Sequence, residues 1–106
     1  MQIKIRQAAL NNRQLSPGAI LLDGLIATKC QEHESSEVVL SRNDITKILG
    51  SSPRQISRYI RDLMKAGLLH TQAQQVGANI YRPLGSPEIG EEREVKPERA
   101  IAGQPI

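Results

Sequence analysis

The sequence predicts a mainly α-helical single domain with a small β-hairpin. Three observations carry this: two amphipathic helix patterns separated by a three-residue break, two short β-type runs after them, and a length of 106 residues that suits one core. The expected boundaries are an N-terminal arm or short element over 1–15, the folded domain over 16–84, and an acidic, disordered tail over 85–106.

The first fifteen residues combine an alternating Ile3/Ile5 pattern with the polar run Asn11-Asn12-Arg13-Gln14, which fits a short strand, a short helix or an arm. Ser16-Pro17 is a helix start: serine caps the free N–H groups, and proline at the first helical position loses no hydrogen bond. A helix over 17–31 follows. Ala19, Leu21, Leu22, Leu25 and Ile26 form its core face, while Ile20, Gly24 and Ala27 make a second apolar stripe. That stripe suits either a partner subunit in a homodimer or the N-terminal segment folded back on the helix. A polar loop over 31–37 leads to Val38-Val39-Leu40, a single short strand, and Ser41 then opens a helix whose Ile45, Ile48 and Leu49 share one face.

The heptapeptide Leu49-Gly50-Ser51-Ser52-Pro53-Arg54-Gln55 carries the most information. Gly50 can take the left-handed conformation that ends a helix, Ser52 can cap the next, Pro53 suits its first turn, and Gln55 completes a capping box. Two helices therefore meet across a short turn, which is helix-turn-helix geometry. On the second, over 53–66, Ile56, Tyr59, Ile60 and Leu63 occupy one side, with Met64 at its margin. Arg54, Arg58, Arg61 and Lys65 lie together on the other. Gly67 closes this helix, and runs over 68–73 and 80–84 bracket the turn residues 74–79 as a hairpin.

Charge divides along the chain. Residues 1–84 hold 11 Lys/Arg against 6 Asp/Glu, and residues 85–106 hold 3 against 5. A basic domain with a cationic helix favours double-stranded DNA, and only two aromatic residues, Tyr59 and Tyr81, argue against stacking on single strands. In the major groove Arg54 suits guanine, Gln55 suits adenine, and Ser57 or Arg58 reach a neighbouring base or phosphate. Arg61 and Lys65 fall farther along, at phosphates, joined by Ser41, Arg42 and Asn43 at the start of the preceding helix. Gln74, Gln75, Asn79 and Arg82 are the hairpin side chains placed to touch DNA. The acidic tail reads as solubilising, or as a site that recruits a protein partner.

No catalytic constellation is evident. His33 and His70 lack a companion nucleophile and carboxylate, no Gly-rich phosphate loop is present, and a single cysteine, Cys30, leaves no disulfide. No cofactor or metal is expected. Without a leader-like or membrane-length apolar run, the expected setting is the cytoplasm, away from any membrane.

The run Asp44-Ile45-Thr46-Lys47-Ile48-Leu49-Gly50-Ser51-Ser52-Pro53-Arg54-Gln55-Ile56-Ser57-Arg58-Tyr59-Ile60-Arg61-Asp62-Leu63, followed by Gly67-Leu68-Leu69, resembles bacterial winged helix-turn-helix DNA-binding domains. Similar segments occur in MarR-like and GntR-like regulators and in the N-terminal domains of phage and plasmid replication initiators. The resemblance covers about half of the chain. It implies that the hairpin is a wing and that Ser52, Pro53, Arg54, Gln55, Ser57 and Arg58 lie at the DNA, with Ser52 at the backbone. The expected function is a small, sequence-specific transcriptional regulator, a homodimer reading two half-sites. The alternatives are a phage or plasmid replication or partition protein, and a winged helix used for protein-protein contact.

Overall fold

A computed structural model describes residues 1–74 and 78–95. The chain begins with β1 (Gln2–Arg6) and the single turn α1 (Gln7–Leu10), followed by the longest helix, α2 (Pro17–Glu32). After β2 (Val38–Ser41) come α3 (Arg42–Leu49) and α4 (Pro53–Lys65). The strands β3 (Leu69–Ala73), β4 (Ala78–Pro83) and β5 (Ile89–Glu94) complete the order.

Local chemistry sets the helix limits where the sequence predicts them. Ser16 Oγ accepts from the Ala19 N–H at 3.2 Å, with Pro17 in the first turn of α2. Ser41 Oγ accepts from the Asp44 N–H at 3.0 Å to start α3, and Gly50 ends it with φ 69°. The capping box of α4 is complete: the Gln55 N–H donates to Ser52 Oγ at 3.2 Å, and the Ser52 N–H donates to Gln55 Oε1 at 3.1 Å. At the far end Gly67 has φ 75°, and the N–H groups of Leu68 and Gly67 return to the carbonyls of Leu63 and Met64 at 3.0 and 3.1 Å. This is a Schellman closure, and both Leu63 and Leu68 are buried.

The sequence reading of a mainly α fold with one hairpin is too sparse in strands. The molecule is a single α/β domain with two antiparallel sheets, one in the order β2-β4-β3 and one pairing β1 with β5. In the first, Val38, Tyr81 and Thr71 stand in register across the three strands, and the Tyr81 side chain is fully buried. The tail boundary at residue 85 also moves. Ile89–Glu94 pairs with Gln2–Arg6, with Gln2 opposite Glu94, and the Val95 N–H donates to the Met1 carbonyl at 2.8 Å. Composition misleads here because the strand's pairing is made by its backbone, and its charges can stay at the surface. Arg93 and Glu91, two apart on one face, pair at 2.6 Å. Residues 96–106 of the expected tail lie outside the described residues.

The segment over 1–15 is thus a strand and a helical turn, and its fully buried Ile3 and Ile5 lie on α2. Gly24 makes this approach available. A Cβ there would lie 2.5 Å from Ile3 Cγ2 and 3.0 Å from Ile5 Cγ1. The apolar stripe of Ile20, Gly24 and Ala27 is therefore occupied at its centre by the chain's own N-terminal strand, while Ile20 and Ala27 remain half-buried beside it. The core continues through Leu22, Leu25 and Ile26 of α2 to Ile45, Ile56, Ile60, Leu63, Leu69 and Tyr81.

One buried ion pair ties these layers together. The Arg6 guanidinium donates through Nε to Asp23 Oδ2 at 3.1 Å and through Nη2 to Asp23 Oδ1 at 2.5 Å. Its remaining N–H groups reach the carbonyls of Leu84 at 2.7 Å, Leu68 at 3.1 Å and Ser86 at 3.4 Å. Both side chains are almost fully buried, so the planar fork of arginine meets nearly all its hydrogen-bonding capacity inside the protein.

Candidate nucleic-acid interface

Helix α4 is held by one side and offers the other. Ile56, Ile60 and Leu63 are buried, and Tyr59 is half-buried against the core. Arg54, Arg58, Arg61 and Lys65 are all exposed on the opposite face. Among the described residues, none of these four cations has a carboxylate within ion-pair distance. The ion pairs engage Met1, Arg6, Lys29, Arg82 and Arg93 instead. Four positive charges, without an ion-pair partner among the described residues, lie along about 16 Å of helix and concentrate positive potential on that face.

The residues expected beside this stripe fall into two groups. Ser57 is joined to Arg42, whose Nη1 donates to the Ser57 hydroxyl, so the start of α3 and the second turn of α4 share one polar cluster. Asn43 and Ser52 are exposed, and Ser41 is half-buried. Three side chains are already committed: Ser41 and Ser52 cap helices, and Gln55 Oε1 accepts from the Ser52 backbone. A bidentate contact from Gln55 to adenine would need that oxygen and would compete with the capping box for it.

The hairpin is similarly divided. The Gln74 N–H donates to the Ala78 carbonyl at 3.0 Å, and the Gln74 side chain is exposed. Asn79 Nδ2 donates to the Tyr81 hydroxyl at 3.2 Å. Arg82 pairs with Glu37 at 2.8 Å, a contact between β4 and the residue just before β2. This neutralises the hairpin arginine and joins the two strands' ends. Gln75 lies outside the described residues.

Comparison with protein-family models, curated proteins and solved structures finds no match to this chain. Its chemistry must therefore be read from its own residues. Among the described residues, no cluster of three or more His, Cys, Asp or Glu side chains is placed to hold a metal ion, and no helix is long and apolar enough to cross a membrane.

Sequence reasoning passed over the Arg6–Asp23 pair, because an arginine at the end of a β-type run reads as a surface residue. It also passed over a cavity of about 320 Å³ between the end of α2 and the β4–β5 connection, lined in part by Ala27, Cys30, Pro83 and Ile89. Burial pushes the Cys30 thiol above its ordinary pKa, Glu37 adds to the shift, and Arg6 opposes it. The thiol is thereby kept protonated and poorly nucleophilic.

Proposed function

We propose that this chain is a sequence-specific double-stranded DNA-binding protein, a small transcriptional regulator that inserts α4 into the major groove. In this reading α3, the turn at residues 50–52 and α4 form a helix-turn-helix, and the β3–β4 hairpin is its wing. The observation that carries the proposal is the exposed row Arg54, Arg58, Arg61 and Lys65, free of carboxylate partners among the described residues, on a helix whose other face is buried. A merely solvated helix face usually mixes both signs of charge, whereas here Asp62, at the margin of the row, is the one carboxylate on α4.

The roles divide along the helix. Arg54 and Arg58, in the first two turns, face the base edges, while Arg61 and Lys65 meet phosphates. Gln55 acts mainly as a cap, given its committed oxygen. Selection from random duplex DNA tests the whole reading: enrichment of a defined site with salt-dependent affinity supports it, and no enrichment with no salt dependence overturns it. Arg54→Ala should relax sequence preference at a cost of about 1 to 3 kcal/mol, whereas Lys65→Ala should weaken all sequences alike and lower the salt slope by about one unit. Equal losses on every sequence from both variants would contradict this division.

A further inference from the structure

Resting on that reading, we infer that the loop over 11–15 is a second phosphate-binding edge of the interface, with Arg13 as its charged contact. Helix α4 is then flanked on both sides by groups that grip the two DNA strands. The loop is an ordered turn. The Asn11 and Asn12 N–H groups donate to the carbonyls of Gln7 and Ala9 at 2.9 and 3.2 Å, and the Leu15 N–H donates to the Asn12 carbonyl at 3.3 Å. The Gln14 N–H donates to Asn12 Oδ1 at 3.0 Å, and Leu15 is buried. These bonds hold Arg13 at the apex, exposed and, among the described residues, without an ion-pair partner.

The fold sets this turn against the last turns of α4. A depression of about 90 Å³ between them is lined by Asn12, Gln14, Leu15, Asp62, Lys65 and Ala66. At 100° per residue, Asp62 and Ala66 lie roughly 70° and 110° to one side of the cationic stripe, and Ser57 lies roughly 70° to the other. Ser57 is the residue bound by Arg42. Arg42 and the loop that carries Arg13 thus stand on opposite flanks of the same helix. An α-helix with its side chains is about 10–12 Å across, close to the roughly 12 Å width of the major groove, so it fills the groove and its flanks overlie the phosphates on either rim. The loop's side chains suit that position. Asn11, Asn12, Arg13 and Gln14 all supply N–H donors and include no carboxylate. The half-buried Asp62 is the carboxylate that lines the depression, and its charge opposes a phosphate there.

The test uses the full chain and a short labelled duplex of fixed mixed sequence, with binding measured by fluorescence anisotropy over a range of salt. Arg13→Gln should lower the slope of log K against log salt by about one unit and weaken binding roughly five- to tenfold at 0.1 M salt. Asp62→Asn should tighten binding. Lys29→Gln, which removes a charge paired to Glu32 at the far end of α2, should leave the slope unchanged. If the unaltered protein binds without salt dependence, or fails to bind, the DNA reading itself falls, and this inference with it. If it binds and Arg61→Gln lowers the slope while Arg13→Gln does not, or if Arg13→Gln and Lys29→Gln act equally, only the loop's role is overturned.

Discussion

The α3–α4 pair and the β1–β5 sheet use the same chemical resource in opposite ways. In α4 four cations stand exposed, and among the described residues none has an ion-pair partner. At the end of β1 a single arginine is buried, with a carboxylate and three backbone carbonyls satisfying its donors. The helix pair is organised by neighbours in sequence, through caps within three residues and a left-handed glycine. The sheet joins residues about ninety positions apart, from Gln2 to Glu94. Positive charge that the fold has consumed serves stability, and charge left without a partner is available for a ligand.

This contrast makes its strongest prediction at the buried pair. Asp23→Ala leaves the Arg6 guanidinium buried without its counter-charge and should cost about 3 to 5 kcal/mol of stability in chemical denaturation. The native fraction should keep the salt-dependent DNA affinity proposed for α4; loss of affinity in fully folded protein would show that the two regions are not separable. Next in size, Gly24→Ala must push the Ile3 and Ile5 side chains off α2 and should cost roughly 1 to 3 kcal/mol. Combining it with Ile3→Ala should recover part of that loss, and strict additivity of the two changes would argue that β1 does not press on Gly24.

Ser52→Ala removes the α4 cap and should cost about 1 kcal/mol. The backbone N–H of residue 52 still donates to Gln55 Oε1 in this variant, so the loss should be one of helix stability alone. An unchanged melting curve would contradict the capping role. The smallest effect concerns pH. Because the folded state raises the Cys30 pKa, it holds that proton more tightly than the unfolded chain does. The resulting stability is present below the ordinary thiol pKa and is lost as the pH rises through the raised value. The native protein should therefore lose more stability in that alkaline window than Cys30→Ala does, and a constant difference between the two would refute the assignment.

The sequence made α4 legible in detail because every signal for it is local. Ser52, Pro53, Gln55 and Gly67 define its ends, and a 3.6-residue period separates Ile56, Ile60 and Leu63 from Arg54, Arg58, Arg61 and Lys65. The hairpin was similarly visible in its turn residues. Strand β5 was not, since Ile89–Glu94 is rich in charge and gains its place only by pairing with β1. The Ile20–Gly24–Ala27 stripe was visible as a surface needing cover, by the N-terminal segment or by a partner subunit, and the backbone path of β1 covers its centre at Gly24.

By itself, then, the sequence determined where the helices start and stop and which face of α4 carries charge, because hydrogen-bond caps and side-chain periodicity act within a few residues. Only the tertiary structure decided which cations are consumed. Arg6, Arg82 and Arg93 meet carboxylates, while among the described residues Arg54, Arg58 and Arg61 do not. For Arg6 and Arg82 the partner is brought close only by the fold, since Asp23 is 17 residues away and Glu37 is 45. Arg93 meets Glu91, two positions away, because the extended backbone of β5 sets both on one face.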